Sequence, residues 1–286
     1  MIRLAIGIIM RNSFKLILFV CFFVNIKAQE NTDLFNYSNS LRYADYLYNS
    51  GEFMLALPEY KRVLFLYPGN TQANIRLHDS YIRLGKYAEG KKASDQFSPH
   101  YFRNDTLELL RFKLLLLNGS YNIFEKEILN SSLTAKDKDY LLMSKYVFQK
   151  NWGQANEYST KMNNYPELYQ LKNIAAKSAQ LNYKSPGLSL AMSAIMPGSG
   201  KVYSGYWKDG LFSFLFVGIT AWQSYRGFSQ KGTKSYYGWI MGAVSFSFYT
   251  GNIYGAAKAA NKKNHELDHL ILDEYEKAFI STYSGF

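Results

Sequence analysis

Two short runs in this chain hold residue types at spacings that could do chemistry. His265-Glu266-Leu267-Asp268-His269 sets two histidines one helical turn apart with a glutamate between them, the arrangement that binds zinc and activates a water. Against it, Asp268 is charged where such a helix packs on a core, and Asn261-Lys262-Lys263-Asn264 precede it. A third ligand would have to come from the 17 residues that remain, where Asp273, Glu274 and Glu276 stand too close in sequence. Gly198-Ser199-Gly200-Lys201 has the glycine and lysine of a phosphate loop, but Ile195 and Val202 occupy the places that need glycine and a hydroxyl. No catalytic residue, metal or cofactor is therefore expected. A membrane-bound zinc metallopeptidase using His265, Glu266 and His269 stays as the alternative reading.

The elements that would position any site are helical. Gly51-Glu52-Phe53, Gly85-Lys86-Tyr87 and Gly119-Ser120-Tyr121 recur at an interval of 34 residues, the length of a paired-helix repeat. In the first unit, Tyr37 to Asn70, Leu41, Ala44, Leu47, Ala56, Tyr60, Val63, Leu64 and Leu66 fall three or four apart in two runs. Gly51 turns the chain between the runs and Pro68 ends the second. A second unit runs from Thr71 to about Ser98, a third surrounds Gly119, and a fourth fits with slipped spacing from Lys138 to Met162, with Trp152 and Ala155 in the aromatic and small positions.

Ala44, Gly51, Phe53, Ala56, Tyr60 and Pro68 resemble the tetratricopeptide pattern position by position. That resemblance implies an α-solenoid over residues 29–184 whose first helices face a protein ligand through Asp45, Tyr48, Asn49, Asp79, Arg83 and Lys113. Asp45 and Asp79 occupy equivalent positions, which favours a basic or amide-rich segment.

The ends of the chain speak of export. Residues 1–28 carry Arg3, Arg11, Lys15 and Lys27, no acid, and the apolar run Leu16 to Val24, which reads as a signal peptide cut after Ala28, or as an uncleaved anchor. The lone Cys21 lies within it, so no disulfide or thiolate metal site is expected after cleavage. Of the net charge of +11, the leader contributes +4 and leaves +7. No basic face suited to nucleic acid stands out.

After Lys184 three stretches lack charge: 185–200, 210–225 and 235–257. As helices they would reach about 24, 24 and 34 Å against a hydrocarbon core near 30 Å. The expectation is an interfacial or re-entrant segment over 185–200, membrane helices at about 206–225 and 235–257, and an amphipathic tail over 261–286 with Leu267, Leu270, Ile271 and Tyr275 on one face. The link 226–234 holds Arg226, Lys231 and Lys234 and no acid, which points it to the cytoplasm and the repeats to the periplasm. Pro197, Gly198, Gly200, Tyr203, Gly205 and Gly210 resemble the proline-glycine-x-glycine-x-x-tyrosine signature of small two-helix membrane domains in bacterial envelope proteins, with Lys201 in place of the expected glutamine.

The reading is thus an all-α chain: a tetratricopeptide-like domain followed by a transmembrane helical hairpin, lodged in a bacterial cell envelope. It is expected to act as a non-enzymatic scaffold with a protein partner and the lipid bilayer as contacts, and no nucleic acid. Gly242, Gly251, Gly255 and Ala256 would let the membrane helices pack closely, and would also suit a homo-oligomer.

Overall fold

The computed structural model describes residues 33–96, 104–162 and 165–282. The expected signal peptide, Cys21 and His100 lie outside them. All regular elements among the described residues are helical. The chain divides into two compact units, the first ending at Leu84 and the second starting at Gly85.

The first unit holds α1 (Tyr37–Asn49), α2 (Phe53–Leu66) and α3 (Thr71–Arg83). Asn36 and Asn70 start α1 and α3, each accepting a hydrogen bond from the backbone N–H three residues on, the commonest way to satisfy an orphan donor at a helix start. Gly51, at φ 79°, ends α1 in the left-handed region. The Glu52 N–H reaches back to the Leu47 carbonyl at 2.9 Å, the closure that only a left-handed residue permits. Ala44, Ala56, Tyr60 and Val63 are fully buried.

His78 on α3 is also fully buried, with Nδ1 2.8 Å from the Asn74 carbonyl. Burial pushes its pKa below the ordinary value. The unfolded chain takes up a proton at about pH 6.5 where the folded one resists it, so this stabilisation is present above about pH 6.5 and is lost as pH falls below it. Protection factors of the α1–α3 amides, taken relative to intrinsic exchange at each pH, are expected to fall on acidification, and His78→Gln to flatten that dependence.

The second unit begins with α4 (Tyr87–Asp95), α5 (Asp105–Leu117), α6 (Tyr121–Ile128), α7 (Ala135–Phe148), α8 (Trp152–Lys161) and α9 (Tyr169–Ser178). Gly119, at φ 69°, turns α5 into α6 as Gly51 turns α1 into α2. Between α7 and α8 the same place is taken by Lys150, at φ 57°, with the Asn151 N–H closing back on Tyr146. Lys150 follows Gly119 by 31 residues, whereas Gly153, at the regular interval, lies inside α8. The slipped spacing of the fourth repeat has this cause. A non-glycine residue there is strained, and Lys150 is tied down by an ion pair to Asp268 at 3.5 Å.

After α10 (Pro186–Ile195) and the short α11 (Ser199–Tyr203), α12 (Trp207–Lys231) and α13 (Tyr236–Ser281) form a hairpin. Two expectations change here. The hairpin is present, but among the described residues no helix is long and apolar enough to cross a membrane. Lack of charge was a poor guide, because 210–225 and 235–257 are interrupted by Ser, Thr, Gln, Asn, Gly and Tyr. Segment 185–200 is the helix α10 followed by a Pro197-Gly198 turn.

The expected tail over 261–286 has no independent start, because α13 runs for 46 residues straight through position 261. Its far end is core: Ile271, Tyr275 and Phe279 are fully buried with Phe112, Tyr140 and Val147 in the main cluster of this unit. Leu270, placed on the apolar face by its spacing, is 58% exposed.

Candidate functional site

The motif glycines meet in one cradle. Gly198 adopts φ 88°, and a Cβ there would stand 2.0 Å from the Gly210 carbonyl oxygen; a Cβ on Gly200 would stand 1.8 Å from that of Ser189. Three backbones thus touch where side chains cannot fit. Hydroxyls and one amide bind the cradle together. Ser189 Oγ lies 2.8 Å from the carbonyls of both Gly200 and Ala256, Asn252 Oδ1 accepts from the Gly198 N–H at 3.1 Å, and Ser193 Oγ accepts from Gly200 at 3.0 Å. Tyr249 donates to the Ala194 carbonyl at 2.6 Å. Gly205, at φ 91°, ends α11, and the Tyr206 N–H closes back on Lys201.

Lower in the hairpin the pattern continues. Gly227 backs onto Gly238, and Ser224 donates to the Gly238 carbonyl at 2.8 Å. The inner face of α12 and α13 is therefore Gly210, Val217, Ser224, Gly227, Gly238, Asn252 and Ala256, all buried. The outer face carries the large apolar residues: Phe212, Phe216, Ile219 and Trp222 on α12, and Trp239, Ile240 and Phe246 on α13, are each more than half exposed. This module is apolar outside and polar within, the reverse of a water-facing domain. The serines and Asn252 that build the interior carry no charge and so do not interrupt the uncharged stretches of the sequence. Their recurrence inside uncharged stretches was the available signal.

The six residues implied as a ligand row have varied surroundings. Asp79 is fully buried and accepts from Tyr48 Oη and Arg83 Nε, both at 2.5 Å. Asp45 accepts from Tyr60 Oη at 2.8 Å and pairs with Arg76 at 2.6 Å. Each of the two equivalent acids thus clamps one tyrosine and one arginine. Burial, and then the carboxylate hydrogen bond, raise the phenol pKa of both Tyr48 and Tyr60. Removing a partner from the fully buried Asp79 costs about 3–5 kcal/mol, and the half-buried Asp45 cluster less, so these residues have a structural task. Asn49 is exposed. Lys113 is fully buried, its ammonium donating to the Thr282 carbonyl at 2.7 Å and lying 5.2 Å from the Phe279 ring. It caps the end of α13.

For the alternative chemistry, the His265 and His269 rings lie 4.3 Å apart on α13. Among the described residues no three His, Cys, Asp or Glu side chains converge to hold a metal ion. Glu266 accepts from Tyr206 Oη at 2.8 Å, and that hydrogen bond holds its carboxyl below the ordinary value. A general base working near neutrality needs the opposite shift. Asp268 accepts from Tyr183 Oη as well as pairing with Lys150, so the charged residue inside the pentapeptide is a packing clamp.

Compared with known proteins, the chain matches no family model, no curated protein and no solved structure.

Proposed function

We propose that this chain is a non-enzymatic envelope adaptor, in which a tetratricopeptide-like helical domain receives a protein partner and the α10–α13 module holds it at a lipid bilayer. The observation that carries the reading is the inverted hairpin, with glycine, serine and asparagine inside and phenylalanine, isoleucine and tryptophan outside. An outer face of this kind is stable against acyl chains, and helices packed through small residues and interhelical hydroxyls are the usual solution there. A helix-wide average of hydropathy is lowered by the inner face, which lipid would not meet.

The outer residues are ordered along the hairpin. Trp207 and Tyr225 stand 18 residues apart, about 27 Å along a helix, near the thickness of a hydrocarbon core. Trp222, Tyr225, Tyr236 and Trp239 gather at the turn end beside Arg226, Lys231 and Lys234, the composition of a membrane interface on the cytoplasmic side. This supports a periplasmic position for the repeats.

Fractionation tests the reading. The full chain expressed in a bacterial host should stay with membranes through high-salt washing and leave them in detergent, and the combined variant Phe212→Ser, Phe216→Ser, Ile219→Ser should move substantially to the soluble fraction. Release of the parent by salt alone would end the proposal. A photo-crosslinker at exposed Asn49 should capture a discrete protein, and no product above background would remove the adaptor half of it.

A further inference from the structure

On the outer side of the motif glycines runs a groove of about 700 Å³, within the range of ligand clefts. Met196, Val202, Leu211 and Phe214 line it together with the rings of Tyr203 and Trp207. Its few polar groups are already engaged by the protein. Ser199 Oγ donates to the carbonyls of Met192 and Met196, and the Gly198 N–H is held by Asn252. The groove therefore offers mainly hydrocarbon contacts, with the Tyr203 hydroxyl and the Trp207 indole as its remaining polar atoms. Against these two rings lie two cations: the Lys184 ammonium is 5.0 Å from the Tyr203 ring and that of Lys208 is 5.8 Å from the Trp207 ring. Neither is in an ion pair among the described residues. The nearby acids face elsewhere, Asp209 lining a separate cavity with Lys201 and Glu266 held by Tyr206 and Lys263.

A carbon-walled groove with two ammonium groups against its aromatic rings, neither of them ion-paired, is complementary to an amphiphile with one long apolar chain and an anionic head. We propose that this groove is a site for an anionic phospholipid, with one acyl chain lying along Met196, Leu211 and Phe214 and the phosphate between Lys184 and Lys208. The inference rests on the bilayer reading above and adds to it a defined place and charge class. Tyr203 is oriented for the role by the Ser185 N–H, which donates to its hydroxyl at 3.2 Å, and the two rings give the cations an apolar floor while leaving their outer sides open.

The test uses the full chain purified in detergent, followed by native mass spectrometry with added phosphatidylglycerol or phosphatidylcholine and by flotation on vesicles of each. One phosphatidylglycerol should be retained per chain, with a preference over phosphatidylcholine of about tenfold or more from two lysines at an anionic head. Lys184→Glu with Lys208→Glu should abolish that preference while flotation on phosphatidylcholine vesicles persists. Leu211→Trp, which fills the groove at an exposed position, should lose the retained lipid without losing flotation. Equal retention of both lipids by a chain that floats overturns the site and spares the bilayer reading; a chain that floats on neither vesicle overturns both. Competition by free glycerol phosphate, or a detergent-stable dimer that Leu211→Trp converts to monomer, would show that a head group alone or a second copy fills this surface, and either result overturns the proposal.

Discussion

Gly200→Val is expected to destroy the α10–α13 module rather than weaken it. The added side chain would begin 1.8 Å from the Ser189 carbonyl oxygen and 2.8 Å from Ser193 Oγ; the first is backbone inside α10 and the second already accepts the Gly200 N–H, so neither retreats cheaply. Overpacking a tight core costs about 1–3 kcal/mol, occasionally more; here the obstacle is backbone on one side and a committed hydroxyl on the other, so a loss above about 3 kcal/mol is expected. Gly198→Ala adds a second penalty, since its φ of 88° disfavours any side chain and its Cβ would meet the Gly210 carbonyl at 2.0 Å. Gly218 and Gly251 sit in helices where an added methyl group would meet nothing within 4 Å. Alanine at either should be neutral or stabilising by up to about 1 kcal/mol from helix propensity. Limited proteolysis in detergent reads the difference: cleavage between α10 and α12 should appear in the Gly200 and Gly198 variants and in neither control. A Gly200→Val chain as resistant as the parent would show that the backbones do not approach as described.

What the sequence disclosed about this fold depended on whether a residue's task was local. Gly51, Gly85 and Gly119 could be found because a left-handed turn demands glycine at one position, whatever lies around it. Lys150 escaped because a distant acid, Asp268, holds it in the same conformation. The helix periodicity of α1 and α3 separated faces correctly without saying what each face would meet. Asp79 and Tyr48 are 31 residues apart, and only the packed helices show that the acid is sealed against the phenol. Lys113 is more extreme, since its partners lie 167 and 169 residues further on. The α10–α13 module shows the same limit from the other side. Runs without charge were visible, but which of their residues turn inward is set by Ser189, Asn252 and Ser224 bonding across helices, and hydropathy averaging erases that distinction.

Phe279→Ala is expected to unfold the repeat part of the second unit at moderate denaturant, although the residue lies close to the chain's end. Phe279 and Tyr275 are fully buried; Phe279 packs 5.5 Å from the Tyr140 ring and 5.2 Å from that of Phe148. Truncating a buried phenylalanine costs about 3–5 kcal/mol, a large share of the about 5–15 kcal/mol that holds a domain together. Tyr275→Ala should act similarly, whereas Tyr275→Phe loses only the hydroxyl contact with Ser144 at 2.8 Å, worth about 1 kcal/mol. Leu270→Ala, on the exposed side of the same helix, should stay within about 0.5 kcal/mol. Denaturation followed by far-ultraviolet circular dichroism gives these values, and a Phe279→Ala cost below about 1 kcal/mol would contradict the packing, given the usual cost of such a truncation. The effect matters beyond stability. One helix of 46 residues, about 69 Å long, has its first half in the inverted hairpin and its last turns inside the repeat core, capped there by Lys113 and braced by Tyr87 donating to Glu276 at 2.7 Å. Hairpin and repeat core therefore share a single rigid element, and a lesion at Phe279 should loosen the repeats while leaving the hairpin bound to membranes, which separates the two halves of the proposed function in one variant.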